Sequence, residues 1–117
     1  YLFLNTANGT ISKKQKEYLK NLLEANKSKN KIVFSHYSLF DNEFQSPTAM
    51  TYPEECYELF DMFEEYRVDY FIAGHLHFFG EREIKGTKYI VINNTEAKVN
   101  CYIKINVKNG HISYDFF

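Results

Sequence analysis

The chain has 117 residues, 44% hydrophobic and 18% aromatic, with a formal net charge of -1 and two cysteines. That is enough to bury one core, of the size at which burial on folding is only moderate, and too near neutral to give an electrostatic footprint for nucleic acid or an anionic membrane. No apolar run approaches the roughly 20 residues needed to span a bilayer, and the start has no basic segment followed by an apolar core.

In chain order, Tyr1 to Asn5 reads as a strand that begins without a turn or cap, and Thr6 to Ile11 as a loop. Ser12 followed by Gln15 has the form of a capping box. Ile11, Tyr18, Leu19, Leu22 and Leu23 then keep helical spacing to about Lys27, with Lys13, Lys14, Lys16 and Lys20 on a solvated face. Lys31 to His36 is a second short apolar strand, and it ends in a histidine. Tyr37 to Tyr52 has no sustained period and reads as a long loop, either a substrate-facing cover or an ordinary connection; Asp41 and Glu43 lie within it. Pro53 suits the first turn of a helix whose face Cys56, Leu59, Phe60 and Phe63 runs to about Tyr66, with acidic residues opposite.

Tyr70 to Ala73 is a third buried strand, followed by Gly74-His75-Leu76-His77. If the backbone stays extended there, His75 and His77 point to the same side, and Gly74 permits an unusual path beside them. Strand, helix and strand from Ile32 to Ala73 form one parallel unit with a right-handed crossover. Ligands bind outside the carboxyl ends of parallel strands, so His36, His75 and His77 converge on one rim, and three neutral imidazoles suit a transition metal.

Beyond His77 the pattern becomes antiparallel: Phe78 to Ile84, a turn at Lys85-Gly86, Lys88 to Asn93, Cys101 to Val107, a hairpin turn at Asn109-Gly110, and His111 to Phe117. In the last hairpin Cys101, Ile103, Ile105 and Val107 share a face, met by Ile112, Tyr114 and Phe116. Cys56 and Cys101 form no metal-binding pair and read as buried thiols. His111, far from the rim, reads as a surface residue.

Leu2-Phe3-Leu4-Asn5, Gln15-Lys16-Glu17-Tyr18-Leu19, Val33-Phe34-Ser35-His36-Tyr37-Ser38 and Val68 to His77, in that order, resemble the carboxyl-terminal half of the calcineurin-like metallophosphoesterases, which include purple acid phosphatases. The resemblance spans nearly the whole chain and is most specific at Gly74-His75-Leu76-His77 with its upstream strand histidine. Asn5 and Tyr18 depart from the aspartate and tryptophan of many relatives, and Tyr37-Ser38 from a frequent His-Pro pair. The family's Asp-x-His, Gly-Asp-x-x-Asp and Gly-Asn-His segments, which supply its carboxylate and asparagine ligands, are absent from these residues.

The resemblance therefore implies an α/β fold: a single partial domain over residues 1–117, the carboxyl-terminal half of an αββα sandwich, a βαβ unit followed by antiparallel strands. It implies that His36 and His75 bind one divalent metal and His77 a second, with manganese, iron or zinc as candidates. The expected partners are a phosphoester substrate and an amino-terminal half of the domain, with no nucleic acid or membrane. Activity is expected of the complete protein and not of these residues alone. The rival readings are a binding or assembly module, dimerising through exposed sheet surface, and a degenerate phosphoesterase that keeps the shape without the chemistry.

Overall fold

Short β-branched and aromatic runs cannot shield their own backbone, and here they pair into one sheet. The computed structural model describes residues 1–117. Strands β1 (Leu2–Leu4), β2 (Ile32–Ser35), β3 (Tyr70–Ala73), β4 (Gly80–Ile84) and β5 (Thr87–Val91) form a five-stranded sheet in the order β1-β2-β3-β5-β4. β1, β2, β3 and β5 run parallel, and β4 alone is antiparallel, paired with β5. The antiparallel reading beyond His77 thus holds for the β4–β5 hairpin but not for β5 against β3. Alternating patterns report which face is buried, not the direction of the neighbouring strand.

Helices α1 (Lys13–Ala25) and α2 (Pro53–Glu65) supply Leu19, Leu23, Cys56, Leu59 and Phe63 to a core shared with Val33, Phe71, Ala73, Tyr89 and Val91 of the sheet. The opposite sheet face carries Ile32, Ile72 and Ile90, against which the hairpin of β6 (Ile103–Lys108) and β7 (His111–Phe116) lays Ile103, Ile105, Ile112, Tyr114 and Phe116. The layers are therefore helices, sheet, and a two-stranded second sheet. Val107 is 50% exposed, so the hairpin's apolar face is covered only in part. Lys85-Gly86 and Asn109-Gly110 both take positive φ at two successive residues, the geometry that matches the twist of a tight hairpin. No helix is long and apolar enough to cross a membrane.

The element ends show where local chemistry decides. Ser12 caps α1, its side chain accepting the Gln15 N–H at 3.2 Å. Gln15 does not reciprocate; its amide instead brackets Asn5, accepting that residue's N–H and donating to its carbonyl, which ties α1 to the end of β1. Tyr18 lies 65% exposed, because the buried stripe is centred on Leu19 and Leu23. Pro53 opens α2, and Glu55 in its first turn accepts from the Thr10 hydroxyl and the Ile11 N–H. The Lys31 ammonium is buried among the Asn26, Lys27 and Lys29 carbonyls at the end of α1, where a cation is favoured.

The 37–52 loop is no open cover. Leu39, Phe40, Phe44 and Met50 are buried in the core, Ala49 N–H donates to Leu39 O, and Thr51 N–H donates to Gly9 O. Asp41 and Glu43 stay exposed, with the Asp41 carboxylate accepting the Glu43 N–H. Cys56 is buried, its sulfur taking the Met50 N–H, and burial pushes the thiol's pKa up. Cys101 is only half-buried, contrary to expectation, because it precedes β6 beside the chain's last residue.

Phe63 is fully buried and its ring sits 5.3 Å from that of Phe71. Phe63→Ala is expected to cost about 3–5 kcal/mol of unfolding free energy, read by chemical denaturation; a loss below about 1 kcal/mol would show that the helix layer is not held by this contact.

Candidate metal centre

The site is built by the β2–β3 register. Pairing of Ser35 with Ala73 ends the ladder, and the Gly74 N–H donates to His36 O at 3.1 Å, so the two strands leave the sheet side by side. The chain then turns: Leu76 N–H donates to Gly74 O at 2.8 Å, and His75 and His77 take φ of 67° and 54°. The extended path expected through Gly-His-Leu-His is therefore not what forms. Left-handed backbone falls on the histidines themselves, and Gly74 has no positive φ; a Cβ there would meet only His36 O, at 3.9 Å.

This turn carries the His75 ring to His36. Nδ1 of His75 lies 3.2 Å from Nε2 of His36, with ring centroids 5.1 Å apart and the planes at 71°. Both residues are exposed on the rim. The ring of Tyr37 stacks on His75, centroids 3.8 Å apart at 24°, and meets His36 edge-on. His77, also exposed, makes no hydrogen bond or ring contact with the pair. No three His, Cys, Asp or Glu side chains converge anywhere in the chain, so Asp41 and Glu43 do not complete the pair. His111 lies exposed at the start of β7, as expected of a surface residue.

Two imidazole nitrogens bound to one cation at about 2.0–2.1 Å each stand roughly 2.9–3.4 Å apart for cis-octahedral to tetrahedral angles. The His36–His75 separation falls within that range, and imidazole suits a divalent transition metal. These two residues fit such an ion as part of a ligand set; the carboxylates a dinuclear centre also needs are not gathered here.

The His75 pKa lies below the ordinary histidine value, first through loss of water from its ring, over which Tyr37 lies, and then through the charges of His36 and His77. Beside the pair a groove of about 390 Å³ is lined by Phe34, Ser35, His36, Ile72, Gly74 and Asn93. Tyr37 and Asn93 were not singled out as site residues by the sequence. The only signal for Tyr37 was its place directly after a strand-end histidine; Asn93 lies past the end of β5 and is brought to the rim by the parallel β3–β5 pairing.

The fold is metallophosphoesterase-like: a mixed α/β sheet forming part of an αββα sandwich. A dimetal phosphatase from Danio rerio matches with a TM-score of 0.58 and 20% identity over 71% of this chain and 27% of its own. GAP50, described as the anchor in the inner membrane complex of Plasmodium, matches with a TM-score of 0.60 and 19% identity over 76% of this chain and 30% of its own. The chain thus spans less than a third of either structure. No protein-family model matches the sequence, and no curated protein does.

Two outcomes follow from this geometry. Gly74→Ala is expected to leave stability within about 0.5 kcal/mol by thermal or chemical unfolding, since it adds an ordinary contact; a large loss would mean that the turn needs glycine. His75 is expected to titrate below 6.5 in a metal-free NMR pH series. A base with a depressed folded-state pKa favours folding when neutral, so this contribution is present above the unfolded value and is lost as pH falls through the folded one. A midpoint at or above 6.5 would contradict the packing of its ring.

Proposed function

We propose that this chain forms part of a metal-dependent phosphoester hydrolase, in which His36 and His75 share one divalent cation and His77 serves a second. The carrying observation is the His36–His75 pair, 3.2 Å apart at the carboxyl ends of adjacent parallel strands, on a fold held in common with a dimetal phosphatase. His36 and His75 act as neutral nitrogen donors, and the lowered pKa of His75 keeps its lone pair available near neutral pH. The turn after Gly74 separates His77 from that pair, which suits a division of the histidines between two ions. Manganese, iron or zinc, when bound, would supply positive charge to the phosphoester oxygens and acidify a bound water. The groove beside His36 would hold the organic part of the substrate against Phe34 and Ile72. Carboxylate ligands would come from an amino-terminal half of the domain, so these 117 residues are not expected to turn over substrate alone.

A second reading is a non-catalytic binding or assembly module on the same fold. It is favoured by the lack of a three-ligand cluster within the chain and by the likeness to a structure described as an anchor.

The discriminating assay uses the longest expressed chain that contains these residues, loaded with manganese, on a chromogenic phosphodiester. Turnover is expected, with His75→Ala lowering kcat/KM about 100-fold or more at an unchanged thermal midpoint of the metal-free protein. Absence of turnover, or turnover indifferent to His75→Ala, would reject the hydrolase reading in favour of the module.

A further inference from the structure

We infer that Tyr37 is a positioning residue for the metal pair, holding the His75 ring in the orientation that presents Nδ1 beside Nε2 of His36. The inference rests on the reading of His36 and His75 as ligands and adds what keeps them aligned. His75 is exposed, stands on left-handed backbone, and has no side-chain hydrogen bond except the one to His36. An exposed imidazole so placed would be free to rotate away. Its other aromatic neighbour is Tyr37, stacked at 3.8 Å and 24°.

Tyr37 is itself fixed from behind. Its N–H donates to the Thr6 hydroxyl at 3.0 Å, and Thr6, fully buried, also bonds the Ser35 hydroxyl at 2.7 Å. Gly9, with φ of +81°, lets the loop after β1 close on the far part of the ring; a Cβ at that position would stand 3.3 Å from Tyr37 Cζ and 2.5 Å from Thr51 Oγ1. Thr51 N–H in turn donates to Gly9 O at 2.9 Å. The loop after β1 therefore backs the aromatic plane, Thr51 holds that loop in place through Gly9, and the plane pins the imidazole. The function resides in the flat ring and not in the hydroxyl, since it is the ring that touches His75.

The test is a titration of the longest expressed chain that contains these residues with cobalt(II) alone, read by its visible absorption, for the native chain and the Tyr37→Phe, Tyr37→Leu and His75→Ala variants. The native chain and Tyr37→Phe are expected to bind alike, His75→Ala to lose binding, and Tyr37→Leu to bind about five- to tenfold more weakly with a changed absorption envelope. Tyr37→Leu binding as tightly as the native chain, while His75→Ala does not, would overturn the positioning role and leave the ligand reading intact. Binding unaffected by His75→Ala, or none by the native chain, would overturn both. Should Tyr37→Leu fail to fold, the metal-free native chain and Tyr37→Phe decide: ring-current upfield shifts of the His75 ring protons are expected in both, and their absence would overturn the inference.

Discussion

Pairing of β2 with β3, Ile32 opposite Tyr70 through to Ser35 opposite Ala73, is the constraint on which the rest of the structure depends. Side chains alternate with a period of two, so a slip of one strand by one residue would send that strand's core residue, Val33 or Phe71, to the hairpin side and would part His36 from Gly74. The register is held at both ends. At the amino end the Asp69 carboxylate accepts the Lys31 N–H at 2.8 Å, and at the carboxyl end Gly74 N–H donates to His36 O. Between them the strands are buried on two unlike faces, which makes the misregistered alternative costly on both.

Each face is closed by different chemistry. The helix layer offers aromatic and aliphatic side chains at helical spacing, and Glu55 joins its second helix to the loop before its first. The hairpin layer is smaller and includes a polar tie: Lys88 donates to the Tyr114 hydroxyl, which donates to Glu81. No buried side-chain nitrogen or oxygen lacks a hydrogen-bond partner, so the polar side chains drawn inside by this double covering are satisfied. Lys31, buried without a carboxylate beside its ammonium, shows the principle most plainly, since three carbonyls at the end of a helix take the place of an ion pair.

The rim differs from the core in kind. There the backbone accepts left-handed conformations at two non-glycine residues, at a cost of about 1–3 kcal/mol each by general experience, and leaves three imidazoles in contact with water. A segment selected for stability alone would place glycine at those two positions. The packed loops behind Tyr37 and the rigid ends of β2 and β3 hold a paired arrangement of nitrogen donors that the local sequence would not hold by itself.

Much of this was legible in the residues. Composition and charge bounded the class; apolar runs located β1, β2 and β3; capping and proline signals located both helices; Asn109-Gly110 located the last hairpin; and strand-end histidines pointed to one rim. These features depend on local sterics, periodicity and burial, which neighbouring residues determine. Tertiary structure decided the rest. The parallel placement of β5 beside β3, the sinking of Leu39, Phe40, Phe44 and Met50 into the core, and the exposure of Tyr18 each depend on what packs opposite. So does the path at Gly-His-Leu-His, where a turn replaces the extended segment and brings His75 to His36 while leaving His77 apart. The sequence by itself determined which side chains at the strand ends carry imidazole nitrogens, because that is a property of side-chain chemistry; only the fold decided which of them meet, because distance in space depends on contacts between segments far apart in the chain.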